Sequence, residues 1–174
     1  MVSVMNKPRI HIQQEIQQRQ PFRSRREEVL LALLRTAAVV KRPVARVIEE
    51  NDLSLAQYNV LRILRGAGSQ GLPTLAIRER MIEEAAGITR LIDRLEGSGL
   101  VTRDRTASKD RRQVYCRITD SGTRLLERLD PVVTAADDAA LAMLDDERLT
   151  GLLDILDEIR TATYSREALG ESKE

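Results

Sequence analysis

A cluster of basic side chains lies between two short segments that have the pattern of β-strands. Residues 99–122 read GLVTRDRTASKDRRQVYCRITDSG, and their central part carries these charges: Arg105, Lys109, Asp110, Arg111 and Arg112. A hairpin tip usually carries Gly, Asn or Asp, because these residues form the turn. Guanidinium and ammonium groups at such a tip could instead reach outward and bind phosphates or other anions.

A second group of polar side chains lies upstream, on a helix that the sequence predicts over residues 84–97. Apolar residues at helical spacing mark the face expected to be buried: Ile88, Leu91, Ile92 and Leu95. The remaining surface carries polar and charged residues: Thr89, Arg90, Asp93, Arg94 and Glu96. Arg94 could pair with a neighbouring acid or remain free to contact an anion.

The net charge of the whole chain is small, but the charged residues are unevenly distributed along it. The net charge is +1, but residues 1–119 carry +9 and residues 120–174 carry −8. This distribution suggests that one part of the molecule meets a polyanion. The alternative is a chance division of charge among solvated helices.

Composition excludes several classes of protein. Aromatic residues make up only 2% of the chain, so the core must consist of Leu, Ile, Val and Ala, which favours helices. With one His and one Cys, and with no glycine-rich phosphate loop or nucleophile–base pair, we expect neither an enzyme nor a cofactor or metal site. We also expect no membrane partner and a cytoplasmic location, because no apolar run is long enough for a membrane span or a signal peptide.

The elements that must position these residues follow from the remaining sequence. We expect a polar tail over 1–20 that is mobile or at most a weakly formed helix, and then a long helix over 23–49, interrupted at Pro43. Ser54 and Gln57 fit a capping box at the start of the next helix. A short helix over 73–81 is expected to bury three residues: Leu75, Ala76 and Met81.

The chain downstream of the hairpin predicts two more helices. Thr119 or Asp120 would cap a helix that runs to about residue 143 and is kinked or split at Pro131. A last helix would start at Asp145 or Asp146, with Leu149, Leu152, Leu153, Leu156 and Ile159 on one face. In the hairpin, Cys116 alternates with polar residues, which predicts a buried structural thiol.

This order of elements predicts a mainly α fold with a small β-hairpin wing, namely a winged helix-turn-helix flanked by N- and C-terminal dimerisation helices. We expect the tail at 1–20, the N-terminal dimerisation helix at 21–53, the winged helix-turn-helix domain at 54–119 and the C-terminal dimerisation helices at 120–174. The long apolar stripes exceed what the small central domain can cover, so a second copy of the chain is the simplest partner.

The sequence resembles the MarR family of bacterial transcription regulators over about residues 23–165. The resemblance is strongest in ITRLIDRLEGSGLVTRD, followed by DRR and then ITDSG. It implies that the first segment contains the second half of the recognition helix, that the D-x-R element forms the wing tip, and that the last element caps the following helix. The implied partner is double-stranded DNA.

The resemblance also implies roles for individual residues. In the recognition helix, Arg90 is expected to read a guanine, with Thr89 and Arg94 beside it. Small residues at the start of that helix, Ala86 and Gly87, would let the backbone approach the phosphates. In the wing, Arg112 would enter the minor groove, oriented by Asp110, and the other cations would contact phosphates: Arg105, Lys109 and Arg111.

One feature departs from the family pattern. Members commonly have Ser and Thr at the start of the recognition helix, whereas residues 82–87 here read IEEAAG. Either Glu83 and Glu84 face away from DNA, or the protein reads its site with other residues.

The resemblance further implies a homodimer, most simply a repressor, that binds a pseudo-palindromic operator and is released by a small aromatic effector. No residue set in the sequence marks a ligand pocket. The alternative is a winged-helix dimer that binds another protein and has no sequence-specific DNA binding.

Overall fold

The computed structural model describes residues 10–83, 87–104 and 114–170. In chain order, the helices and strands within these ranges are α1 (Ile12–Glu15), α2 (Arg25–Glu49), α3 (Leu55–Ala67), β1 (Leu72–Pro73), α4 (Thr74–Glu79), α5 (Ile88–Gly97), β2 (Val101–Asp104), β3 (Tyr115–Ile118), α6 (Asp120–Leu141) and α7 (Asp146–Gly170). The fold is therefore mainly α with a small sheet, as the sequence predicts.

The sheet has three antiparallel strands in the order β1-β3-β2. The predicted hairpin is present, with Val101 opposite Ile118 and Asp104 opposite Tyr115. The third strand, β1, was not expected from the sequence. It pairs Leu72 with Cys116 and Pro73 with Tyr115, and a strand of two residues is too short to show an alternating pattern.

Side-chain caps set the start of several helices. Ser54 and Gln57 form the predicted capping box of α3, with both reciprocal hydrogen bonds present. The Thr119 hydroxyl accepts a hydrogen bond from the Gly122 backbone N–H at 3.1 Å, so Thr119 rather than Asp120 caps α6. Asp145 caps α7 by accepting from the Arg148 backbone N–H at 3.0 Å. These caps satisfy N–H groups that have no partner within the helix.

The described residues up to Thr134 form one compact unit with one apolar core. Its fully buried side chains come from α2 to α6 and from the sheet, and the largest are Ile48, Leu61, Leu64, Ile77, Ile92, Leu95 and Leu126. Leu, Ile and Val supply most of this core, as the composition predicts.

Three expectations about the helices are corrected by the structure. Leu75 is 56% exposed and Ile77 is completely buried, because the short helix α4 follows β1 directly and its rotation is set by the pairing of β1 with β3. Pro43 does not interrupt α2, which continues from Arg25 to Glu49. Pro131 lies within α6, which continues from Asp120 to Leu141 and is therefore not split there. Leu129 and Val133 are buried on either side of Pro131, and their packing holds the helix together across the missing N–H.

Apolar residues on two long helices remain exposed in a single chain. On α2 they are Val29, Leu30, Leu34, Val39 and Val40. From Ala135 onward the described residues form a second compact unit, in which α7 exposes Leu152, Leu153, Ile155, Ile159 and Tyr164. No described residue between 135 and 165 is fully buried.

Candidate nucleic-acid interface

The recognition helix α5 begins later than the sequence predicts. Gly87 has φ +90° and ψ 37°, a left-handed conformation that a continuous right-handed helix cannot contain. The helix therefore starts at Ile88 rather than near residue 84, and its ten residues extend about 15 Å at 1.5 Å per residue. Ala86 and Glu84, which the sequence placed in this helix, lie outside the described residues.

The two faces of α5 have different roles. Ile88, Ile92 and Leu95 are buried in the core, as predicted, and Leu91 is partly buried beside them. The predicted DNA-contacting residues Thr89, Arg90 and Arg94 are all exposed. Because α5 is fixed by its apolar face, its polar side chains are presented on a rigid element.

Arg103 joins the wing to this helix, and the sequence reasoning missed it. Its guanidinium forms ion pairs with Asp93 at 2.6 Å and with Glu96 at 3.1 Å, and it donates a further hydrogen bond to the Thr89 carbonyl at 3.2 Å. The side chain is only 18% exposed. Arg103 therefore connects strand β2 to α5 through three hydrogen-bond acceptors on that helix.

The same contacts exclude one of the two roles expected for Arg94, namely pairing with a neighbouring acid on α5. Asp93 and Glu96, the acids suggested as partners of Arg94, bind Arg103 instead. Among the residues that the structure describes, neither Arg90 nor Arg94 forms an ion pair. Both guanidinium groups are therefore available for an external anion.

The electrostatics of Arg103 support a permanently charged bridge. Partial burial of the guanidinium acts to lower its pKa, but the hydrogen bond and charge of Asp93, together with the charge of Glu96, outweigh that effect and raise the pKa above its usual value. A signal for this role is present in the sequence. Arg103 shares a strand face with Val101, and Asp93 and Glu96 lie three residues apart on one helix face.

A second arginine ties the base of the wing together. Arg117 donates from Nη1 to the Asp104 carboxylate at 2.9 Å and from Nε to the Ser69 carbonyl at 2.9 Å. This places one guanidinium between the two strands of the hairpin and the turn that follows α3. The strands that lead to the wing tip are thus anchored at their base.

Cys116 is a buried structural thiol, as predicted. It lies on β3 at the centre of the sheet and is completely buried. Burial raises its pKa, and a weak contact with the Thr74 hydroxyl opposes that shift. The group is therefore a neutral thiol at neutral pH and a poor nucleophile.

The predicted wing-tip residues lie outside the described residues: Arg105, Lys109, Asp110, Arg111 and Arg112. The last described pair before this segment is Asp104 opposite Tyr115. The structure thus describes the anchored base of the wing, and the roles of the five tip residues stay predictions.

The described residues just before α5 make two contacts with earlier helices. The Ile82 backbone N–H donates to Asn59 Oδ1 on α3 at 3.0 Å, and the Glu83 carboxylate pairs with Lys41 on α2. Glu83, which raised a question in the sequence, is therefore not an isolated negative charge.

Neither a metal-binding cluster nor a membrane-spanning helix occurs in the described part of the chain. Within residues 10–83, 87–104 and 114–170, no group of three or more His, Cys, Asp or Glu side chains could hold a metal ion. Over the same part of the chain, no helix combines the length and apolar character that crossing a membrane requires.

Several known proteins are similar to this chain in both sequence and fold. The family model of the MarR family matches residues 53–114. The HTH-type transcriptional regulator TtmR of Methylorubrum extorquens (strain PA1) is 30% identical over 139 residues, which cover 80% of this chain and 69% of TtmR. The crystal structure of a MarR transcription factor from Planctomyces limnophilus is 36% identical with a TM-score of 0.60, and the match covers 79% of this chain and 98% of that one.

A third protein is similar mainly in fold. BpsR of Bordetella bronchiseptica, whose DNA binding is regulated by 6-hydroxynicotinic acid, is 22% identical with a TM-score of 0.68 over 77% of this chain and 99% of its own. Regulators of the MarR family bind DNA as dimers, and some bind small-molecule effectors. The shared winged helix-turn-helix and the extent of these matches show that the chain belongs to the MarR family of DNA-binding transcriptional regulators, which are not enzymes.

Proposed function

We propose that this protein is a homodimeric repressor that binds a pseudo-palindromic operator through α5 and the wing, and that a small aromatic ligand releases it. The observation that carries the proposal is the bridge at Arg103. It joins the strand that leads to the basic wing tip to the helix that exposes Thr89, Arg90 and Arg94. A helix and a wing joined in this way can contact a major groove and the adjacent minor groove as one surface.

The proposed site has two parts. Arg90 reads a guanine in the major groove, flanked by Thr89 and Arg94, with Ala86 and Gly87 allowing close approach of the backbone. Arg112 enters the minor groove, oriented by Asp110, while the other basic tip residues contact phosphates: Arg105, Lys109 and Arg111.

We assign a separate role to each segment of the chain. Residues 54–119 bind DNA, residues 21–53 and 120–174 form the dimer interface, and residues 1–20 are an N-terminal tail whose described part contains α1. Exposed apolar residues on α2 and α7 support this assignment, because such stripes are typical of surfaces that a partner covers. A dimer with recognition helices about 34 Å apart would read an inverted repeat. Such a regulator would act in the bacterial cytoplasm, where the chromosome lies.

The effector is proposed by analogy with BpsR, which responds to 6-hydroxynicotinic acid. We propose an aromatic or phenolic compound as the corresponding ligand here. The alternative, a winged-helix dimer that binds only another protein, would leave duplex DNA unbound.

The proposed function is tested by fluorescence anisotropy with duplexes from the DNA that flanks this gene, with and without phenolic compounds. We expect wild-type binding that weakens steeply with salt, because phosphate contacts release counterions. Arg90→Ala should cost about 1–3 kcal/mol of binding free energy and relax the preference at one base pair, and Arg112→Ala should cost a similar amount. Neither change should alter the melting temperature substantially.

Arg19→Ala serves as a control, because it removes an exposed arginine from the 1–20 segment, outside the residues proposed for DNA binding and for the dimer interface. It should bind DNA as the wild type does. Equal affinities for the wild type and both DNA-contact variants would contradict the proposed site. Absence of any salt-dependent binding to duplex DNA would favour the protein-binding alternative.

A further inference from the structure

The Lys41–Glu83 ion pair lies where the dimerisation helix meets the approach to the recognition helix. Glu83 comes four residues before Gly87, the residue from which α5 starts. Its carboxylate Oε1 lies 2.5 Å from the Lys41 ammonium, on a helix 42 residues earlier in the chain. This contact places a cation from α2 beside the turn at Ile82 and Glu83, which precedes α5 in the chain.

The ion pair contributes little to holding this turn in place. The two side chains are 48% and 70% exposed, and exposed ion pairs contribute very little to folding stability because water and salt screen them. The backbone of the turn is held separately, since the Ile82 N–H donates to Asn59 at 3.0 Å. A structural tether is therefore not the main consequence of the pair.

The ion pair has a larger effect on the charge presented to DNA than on the stability of the fold. The start of a recognition helix is the part that approaches the DNA backbone and base edges, so a carboxylate near it lies close to phosphates. Salt screens charges over about 8–10 Å at physiological ionic strength, so an unpaired Glu83 would repel nearby phosphates. A lysine ammonium on the same carboxylate cancels most of that repulsion.

We propose that Lys41 neutralises Glu83 and thereby prevents this carboxylate from repelling the DNA phosphates near the start of α5. This inference rests on the proposed binding of DNA through α5. It adds Lys41, a residue on the proposed dimerisation helix, to the determinants of DNA affinity, and it accounts for an acidic residue at a position where the family pattern has Ser and Thr.

The experiment is a double-mutant cycle on the full-length protein, using Lys41→Met, Glu83→Gln and the double variant. The probes are a duplex selected from a random-sequence pool by wild-type protein and an unrelated duplex of the same length. In low salt, K41M should bind both duplexes about 3–10-fold more weakly than the wild type, and this deficit should shrink as salt is added. E83Q and the double variant should bind at least as tightly as the wild type, and Lys41→Arg should retain wild-type affinity.

Arg25→Met is the matched control. It makes the same change in net charge and leaves another carboxylate, Glu28, without its partner, at the N-terminal end of α2. It should bind as the wild type does. Thermal melts should show that all variants are folded with similar stability, and light scattering should show that Lys41→Met and Arg25→Met, both on α2, keep the oligomeric state of the wild type.

Two results would overturn the inference. If the double variant binds as weakly as K41M, Lys41 does not act by masking Glu83. If K41M binds as the wild type does, the charge of Glu83 is not sensed by DNA. Failure of the wild-type protein to bind either duplex would instead overturn the proposed function, and this inference with it.

Discussion

At the scale of single residues, Arg103 decides how the wing and the recognition helix are arranged. Its planar guanidinium meets two carboxylates and one carbonyl, a set of acceptors that suits the fork of N–H groups on arginine. Without it, Asp93 and Glu96 would face each other with no cation between them. The side chain therefore links the position of β2 to that of α5.

Arg103→Ala should lower the free energy of unfolding by about 1–2 kcal/mol, because the partly buried guanidinium and its hydrogen bonds to Asp93, Glu96 and the Thr89 carbonyl are lost. The variant should also bind DNA more weakly, since the wing is no longer fixed relative to α5. Urea denaturation measures the first effect and fluorescence anisotropy the second. Arg103→Lys should fall between the wild type and the alanine variant, because an ammonium group cannot reproduce the fork.

Arg94→Ala is the control for stability. Arg94 lies on the same helix but is exposed, so its removal should change the free energy of unfolding by less than about 0.5 kcal/mol. If the two alanine variants were equally stable, the bridge would not hold the wing.

At the scale of elements, the junction between β3 and α6 shows why the motif ITDSG ends in glycine. The Thr119 hydroxyl donates to the Gly99 carbonyl at 2.8 Å and also caps α6. A Cβ atom on Gly122 would lie 2.5 Å from the Leu100 carbonyl oxygen and 2.7 Å from Ile118 Cγ1. The start of α6 therefore packs directly against the backbone that leads into β2.

Replacement of glycine by alanine should change the free energy of unfolding in opposite directions at two helical positions. Gly122→Ala should lower the free energy of unfolding by about 2 kcal/mol, because the added methyl group collides with a backbone carbonyl that cannot move freely. Gly66→Ala, near the end of α3, meets nothing within 4 Å and should raise stability by about 0.5–1 kcal/mol through helix propensity. Thermal or urea denaturation of the two variants checks both signs, and destabilisation by Gly66→Ala would contradict the argument.

At the scale of the whole molecule, the exposed apolar residues of α2 and α7 require an explanation, because a single chain leaves them in water. Leu34 is 59% exposed in the middle of a helix that lies largely outside the core. Burial of such residues against a second copy would remove apolar area from water and would stabilise a dimer.

Leu34→Glu should convert the proposed dimer to a monomer while leaving the chain folded, because a charge in a two-fold interface is buried twice. A loss of about 2–4 kcal/mol per interface is typical for a central apolar residue. Light scattering should give twice the chain mass of 19.6 kDa for the wild type and a single chain mass for the variant. Thr36→Glu, at an exposed polar position of the same helix, is the control; a dimer of undiminished stability in Leu34→Glu would exclude this face.

Much of the local structure could be predicted because it depends on neighbours in the chain. The capping box of Ser54 and Gln57 and the buried stripe of α5 follow from patterns within one or two helical turns. The same kind of pattern narrowed the cap of α6 to Thr119 or Asp120, and the structure shows that it is Thr119. The same reasoning failed at Leu75, because the rotation of a one-turn helix depends on a strand pairing 42 residues away. It also failed at Gly87, where the helix start depends on a left-handed backbone conformation that no pattern specified.

The sequence alone was sufficient to identify the winged helix-turn-helix, the family and the exposed cations of the recognition helix, because periodicity, caps and motif spacing are short-range properties. Only the tertiary structure decided that Arg103, and not Arg94, takes Asp93 and Glu96, that β1 joins the sheet, and that Lys41 reaches Glu83. Each of these contacts joins residues on different elements. Their partners are set by how the apolar core packs the helices and strands together, and that arrangement cannot be read from the spacing of residues along the chain.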